Sequence, residues 1–220
     1  MLVTPLFRDR AEAGRILARR LQPVVTDPGA LVIALPRGGV PVGFEIAQTL
    51  HADLDVLLVR KLGMPGQEEL AMGAIASGGV KVLNEPLIKR LSIPPDVIAR
   101  VTAREQQEIE HQGRFYRQDR AARPIENRIV LLVDDGLATG ASMLAAARAV
   151  QAQKPKRVMV AVPVASREAC EELRQHVDDV VCAETPEPFY AVGVWYEDFS
   201  PPSNAEVRKL LERAAKEHVS

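Results

Sequence analysis

Asp134 and Asp135 stand side by side at the end of the apolar run 129–133, and Gly136, Leu137, Ala138, Thr139, Gly140, Ala141 and Ser142 follow them. Two adjacent carboxylates at the end of a buried strand cannot both be charged without partners, because desolvation costs too much. They call for hydroxyls, a cation or solvent. The segment behind them is rich in small residues, so its backbone can wrap closely around an anion. The free N–H groups of a helix start favour phosphate, and Thr139 and Ser142 add hydroxyl donors. Carboxylates for sugar hydroxyls beside amides for a phosphate describe a ribose 5-phosphate site.

Three rival readings use the same residues. A P-loop needs a lysine directly after its second glycine, whereas Ala141 follows Gly140. The dinucleotide fingerprint GxGxxG is absent from the chain. A receiver-type domain carries its acidic pair on the first strand and a phosphoacceptor aspartate on a later one, but the run 157–162 leads into Pro163, Val164 and Ala165. An acidic pair that merely caps a helix is the alternative without chemistry.

Other segments could complete such a site. Arg37, Gly38 and Gly39 follow the apolar run 31–35; the glycines permit close backbone approach, and the arginine brings a fixed positive fork. A tight turn with a solvent-facing arginine is the plainer reading. Arg60 and Lys61 close the run 55–59 and precede a stretch, 63–69, with Gly63, Pro65 and Gly66, the composition of a lid that excludes water. Lys61 is the stronger candidate of the two cations. Aromatic residues make up 4% of the chain, yet Phe189, Tyr190, Trp195, Tyr196 and Phe199 crowd one short segment, where they either pack a small subdomain or meet a ligand.

The elements that must position these residues follow from periodicity. Runs 31–35, 55–59, 129–133, 157–162 and 179–182 are short and apolar, the pattern of strands buried on both faces. Helical patterns cover 7–21, with Asp9 as cap, then 40–50, 141–151, 167–176 and 203–218, the last started by Ser203. Residues 72–76 and 80–83 flank Ser77, Gly78 and Gly79 as a hairpin. The stretch 94–123 reads as one long helix with an apolar edge of Ile98, Val101, Ile109, Phe115 and Tyr116. Its arginines, Arg100, Arg104, Arg114, Arg117, Arg120 and Arg123, are interleaved with Glu105, Glu108, Glu110 and Asp119, which describes a solvated face. Alternating strands and helices predict an α/β fold, an open parallel sheet flanked by helices. No repeat or linker divides the 220 residues, so one domain is expected, with its core at about 25–183, a small hood at about 184–202 and a terminal helix at 203–218.

Bulk composition narrows the class. Lys plus Arg total 28 against 29 for Asp plus Glu, a net charge of −1 that gives no electrostatic reason to expect nucleic acid. No run is long enough to span a bilayer, and Arg8, Asp9 and Arg10 precede any apolar stretch of signal-peptide length. Cys170 and Cys182 form no CxxC pair and are expected as buried, reduced thiols. A cytoplasmic chain with no membrane partner is the expectation.

Residues 130–142, VLLVDDGLATGAS, resemble the phosphoribosyl pyrophosphate (PRPP) motif of the type I phosphoribosyltransferases, above all the form of the adenine enzymes, where an Asp pair precedes Ala-Thr-Gly. The resemblance implies a Mg²⁺-dependent transfer of 5-phosphoribosyl from PRPP to a nitrogenous base, with a homodimer as one assembly open to it. Asp134 and Asp135 would hold the ribose hydroxyls, and residues 136–142 the ribose and its 5′-phosphate. Arg37, Gly38, Gly39 and Lys61 would hold pyrophosphate. The segment around Arg37 is similar to the family's pyrophosphate loop, which implies a non-proline cis peptide between Arg37 and Gly38. Residues 189–199 resemble the hood of hypoxanthine-type enzymes, which implies base contacts from Tyr190, with Phe189 and Trp195 beside it. Glu197 or Asp198 would then face a magnesium-bound pyrophosphate, with Asp134 and Asp135 as the other acidic candidates. Hypoxanthine-type enzymes carry an aspartate, a general acid or base, where this chain has Ala138, so any proton transfer must come from elsewhere, with Glu68 or Glu69 as open candidates, or the nucleophile arrives deprotonated. The fold also serves PRPP-sensing regulators, and water as the nucleophile would make a hydrolase; both stay open.

Overall fold

The computed structural model describes residues 4–118 and 120–217, with Glu69 described by its backbone alone. Asp119 and His218, named above, lie outside the described residues.

Apolar runs too short for helices become the strands of a five-stranded parallel sheet: β1 (Leu31–Ala34), β2 (Asp53–Val56), β6 (Ile129–Val133), β7 (Arg157–Val164) and β8 (Asp179–Glu184), in the order β2-β1-β6-β7-β8. Strand alternation sends Leu131 and Val133 of β6 into one core and Val130 and Leu132 into another. The first core is closed by α1 (Arg10–Leu21), α2 (Gly39–Leu50) and α7 (Asn204–Glu217), the second by α5 (Ala141–Gln151) and α6 (Arg167–Arg174). Asp9 caps α1 by accepting the Glu12 amide at 2.8 Å. The predicted parallel sheet flanked by helices is the observed fold.

Four expectations change. The second parallel strand ends at Val56, and Val59 instead opens β3 (Val59–Met64), which pairs antiparallel with β4 (Gln67–Ala76). Arg60 and Lys61 therefore lie inside a strand of a separate three-stranded sheet, β3-β4-β5, with β5 at Lys81–Leu83. The expected open lid at 63–69 is the tip of that hairpin, where Met64 pairs with Gln67 across Pro65 and Gly66. The predicted hairpin about Ser77–Gly79 is present, Ala74 facing Val82. Second, the long helix α4 (Pro95–Arg117) is preceded by a short α3 (Glu85–Arg90) and stops at Gln118, whose left-handed φ of 50° ends it before Arg120 and Arg123. Third, its charged face is not simply solvated: Glu105 is buried, and Arg117 donates to Asp55 at 2.8 Å. Fourth, Cys170 on α6 and Cys182 on β8 are joined as a disulfide rather than held as separate thiols, because the helix packs directly on that edge strand.

The segment 189–199 packs against the start of the described chain. Leu6 and Phe7 donate to the Trp195 carbonyl at 2.9 and 3.0 Å, while the Glu197 and Asp198 amides donate back to Phe7 and Arg8. Phe7, Trp195 and Tyr196 form a third apolar cluster with Phe189 and Phe199 at its margin.

Candidate functional site

The middle strand of the parallel sheet delivers Asp134 and Asp135 to its carboxyl edge, where ligands of open α/β sheets gather. The loop after β1 lies against them: the Leu35 amide donates to the Val133 carbonyl at 2.9 Å. At Gly38 a β-carbon would overlap the Asp135 carboxylate, and at Gly39 it would sit 2.6 Å from the Val133 carbonyl oxygen. The two loops can approach this closely only as glycines. The non-proline cis peptide is present one bond earlier than expected, between Pro36 and Arg37.

Arg10, from α1, compensates one of the two carboxylates. Its Nε donates to Asp135 Oδ2 at 2.7 Å, its Nη1 to the Ser200 carbonyl at 2.8 Å, and its guanidinium lies 4.0 Å from the centre of the Phe199 ring. Tyr196 Oη donates to the Asp135 carbonyl at 2.6 Å. Asp134 Oδ1 accepts the Asp135 amide at 2.9 Å. Burial, reinforced by the neighbouring Asp135 charge, lifts the Asp134 carboxyl well above the ordinary carboxylate range. Burial also raises Asp135, against the pull of Arg10. The Tyr196 phenol is raised by burial and by Asp135, so it stays a neutral donor.

Behind the pair, the chain turns into α5. Leu137 bridges to Ala165, and Ser166 Oγ donates to the Ala138 carbonyl at 2.7 Å while accepting the Ala169 amide at 3.1 Å. Gly140 has a left-handed φ of 73° and opens α5 with no side-chain cap. The first amides of a helix have no partner within it, and here they begin beside a cavity of about 1080 Å³ lined by Ala138, Thr139, Gly140, Ala141, Phe189 and Tyr190 among others. The structure thus brings the predicted phosphate turn and two predicted base-contacting rings to one cavity. Tyr190 is 65% exposed there. Ser142 is exposed on the first turn of α5 but does not line this cavity.

Other predicted residues sit apart. Trp195 is buried against Phe189, with ring centres 6.4 Å apart, as part of the hood's packing. Asp198 accepts the Ser200 amide at 2.8 Å and lines a different cavity with Arg10, Pro41 and Phe44. Arg37 is exposed and shares a third cavity with Arg60, not with Lys61, which stands opposite Ala74 in the small sheet. Among the described residues, no three Asp, Glu, His or Cys side chains cluster to hold a metal.

Sequence reasoning missed Arg10 and Ser166, and it set Tyr196 in the aromatic cluster without its bond to Asp135. In the sequence Arg10 entered only the argument against a signal peptide, and its burial, at 8% exposure, is visible only in the fold. Ser166 did carry a signal, as a cap residue directly before the helix pattern at 167–176.

Comparison with known proteins supplies an independent result. The phosphoribosyl transferase domain family matches residues 63–198. The chain is 42% identical over 209 residues to Rv0571c of Mycobacterium tuberculosis, named as a candidate phosphoribosyl transferase; the match covers 95% of this chain and 47% of the relative. The chain therefore spans about half the length of the curated relatives it matches. Among solved structures, the TT1426 protein of Thermus thermophilus is 42% identical with a TM-score of 0.83, covering 94% of this chain and 98% of its own. A Neisseria gonorrhoeae protein solved with bound ppGpp is similar in fold alone, at 13% identity and a TM-score of 0.53 over 97% of this chain and 98% of its own.

Proposed function

The chain belongs to the phosphoribosyl transferase domain family, and on that premise we propose that it transfers the 5-phosphoribosyl group of PRPP to a nitrogenous base and releases pyrophosphate. The observation that carries this reading is the half-buried Asp134–Asp135 pair joined by the Gly140 turn to the uncapped start of α5.

The pair accepts hydrogen bonds from the ribose hydroxyls, which supply the donors that two desolvated carboxylates need. Residues 138–142 and the first amides of α5 take the 5′-phosphate. Gly38 and Gly39 let backbone reach the pyrophosphate, and Arg37 brings it a positive charge. Holding both halves of PRPP at the edge of one sheet fixes the anomeric carbon between them, so positioning and electrostatics lower the barrier. Tyr190 and Phe189 offer the acceptor base its apolar faces. Ala138 offers no proton-transfer group, so the nitrogen nucleophile attacks in deprotonated form or loses its proton to solvent.

Magnesium fits the donor set. Arg10 already compensates Asp135, whereas the raised Asp134 carboxyl is short of positive charge. Magnesium takes one or two carboxylates together with substrate phosphates, so Asp134 is the residue that would hold it. When bound, it supplies charge to the departing oxygens.

Incubation with PRPP, magnesium and a panel of nucleobases, following pyrophosphate release, tests the proposal. Base-dependent release is the expected result. Base-independent release replaces transfer with hydrolysis, and PRPP binding without turnover replaces it with sensing.

A further inference from the structure

The cavity beside the Gly140 turn has two further walls. One is the start of α6, through Ser166, Arg167 and Ala169, and the other is the segment 186–190, which continues from β8. The α6 wall bears directly on the turn. Ser166 Oγ holds the Ala138 carbonyl, and a β-carbon at Gly140 would lie 3.6 Å from both Ala169 and Leu173. A shift of α6 therefore reaches the backbone that follows the carboxylate pair.

The helix has eight residues, too few to hold its shape without tertiary support. Ala169, Cys170 and Leu173 form its buried face and seat it in the second core. Across the cavity, Arg167 pairs with Glu187, but both side chains are mostly exposed, and such a pair contributes little. The covalent tie between the walls is the disulfide from Cys170 on α6 to Cys182 on β8. Its two sulfurs differ in access. Cys170 is 1% exposed, whereas Cys182 is half-buried on the last strand of the sheet.

Resting on the phosphoribosyl-transfer reading, we propose that the Cys170–Cys182 pair is a redox modification site. A dithiol opens it, and the opening loosens the grip of the Gly140 turn on the 5′-phosphate. A thiolate of the reductant attacks Cys182 Sγ, the more accessible sulfur. The S–S bond breaks, and Cys170 leaves with the bonding electron pair and takes up a proton. The second thiol of the reductant then displaces Cys182, which is protonated in turn, and the reductant closes its own disulfide. Two electrons and two protons pass to the protein. The oxidised chain is the tighter binder, because its bond holds α6 and β8 on either side of the turn.

The test is titration of ribose 5-phosphate into the wild-type chain oxidised with glutathione disulfide, and again after reduction with dithiothreitol. Free thiols are counted after denaturation, and thermal melts confirm that both forms are folded. The oxidised chain should show no free thiol and the reduced chain both, with ribose 5-phosphate bound about fivefold or more weakly once reduced. Cys182→Ser should bind like the reduced form and ignore dithiothreitol; the wild-type comparison stands without it. The proposal is overturned if the two wild-type forms bind alike, if the reduced form binds more tightly, if Cys182→Ser still responds to dithiothreitol, or if glutathione disulfide leaves both thiols free. Binding by neither form is a different result, the failure of the parent reading. Hydrogen exchange at the amides of residues 138–142 then reads the tie directly: faster exchange on reduction supports it, and equal exchange overturns it.

Discussion

The turn after β6 and the cavity between Arg37 and Arg60 are built by the chain in opposite ways. The turn is local: a strand, two carboxylates, a left-handed glycine and a helix start follow one another within residues 129–151. Its polar groups are backbone amides, fixed by secondary structure itself. The cavity is assembled from distant pieces, Arg37 after β1, Arg60 on β3, Tyr116 on α4 and Asn204 on α7. Its polar groups are long side chains, and each needs a tertiary contact to hold it still. A site made from backbone is specified by its own segment, whereas a site made from side chains is specified by the whole fold.

The largest expected effect removes the local half. Asp134→Asn with Asp135→Asn should weaken PRPP binding by about a hundredfold or more, since hydrogen bonds to both charges are lost; calorimetric titration measures it, and unchanged affinity would take the pair out of the site. Next comes the residue at the seam. Arg10→Met leaves Asp135 buried without its cation, and about 3–5 kcal/mol of stability should go at neutral pH, read by urea unfolding. The pH dependence has a definite sign. Asp134 and Asp135 are both raised above their unfolded values, so the folded chain holds their protons more tightly than the unfolded chain does. Their stabilising contribution is present in full below the ordinary carboxylate range and is lost as pH rises through the folded values. The Arg10→Met deficit should accordingly shrink on acidification; a deficit that grows instead contradicts the pairing. Gly38→Ala probes the seam from the other side, and overlap with the Asp135 carboxylate should cost about 1–3 kcal/mol and lower PRPP affinity together. The smallest effect belongs to Ser166→Ala, which removes a cap and the hold on Ala138 for about 1 kcal/mol, detectable as a lower melting temperature with pyrophosphate binding intact.

The same local-versus-distant division separates what could be read from the sequence. Strand β6 and helix α5 have the predicted bounds, and Asp9 caps α1 as expected, because short-range periodicity and capping chemistry decide them. Arg60 was set below Lys61, since adjacent cations on an unplaced strand carry no sign of which face meets which helix. Glu105 looked like one more solvated charge; its burial depends on β3 lying under α4, a contact that spans 45 positions. The small sheet was half seen: its Ser77–Gly79 turn has local glycine chemistry, while β3 was absorbed into the end of the neighbouring apolar run. Trp195 went to the hood's interior, an outcome that composition alone could not separate from a ligand-facing ring.

The bonds of Arg10 also set an order of events. It meets Asp135 across 125 positions and the Ser200 carbonyl across 190. Closing loops of that length is entropically expensive, and contacts between such distant positions form late. During synthesis, the turn after β6 can close once Ala165 and Ser166 have been made, while the second bond of Arg10 must wait for the segment around Ser200. Arg10 therefore gains its second anchor only after the segment around Ser200 has been made, well after the acidic pair itself.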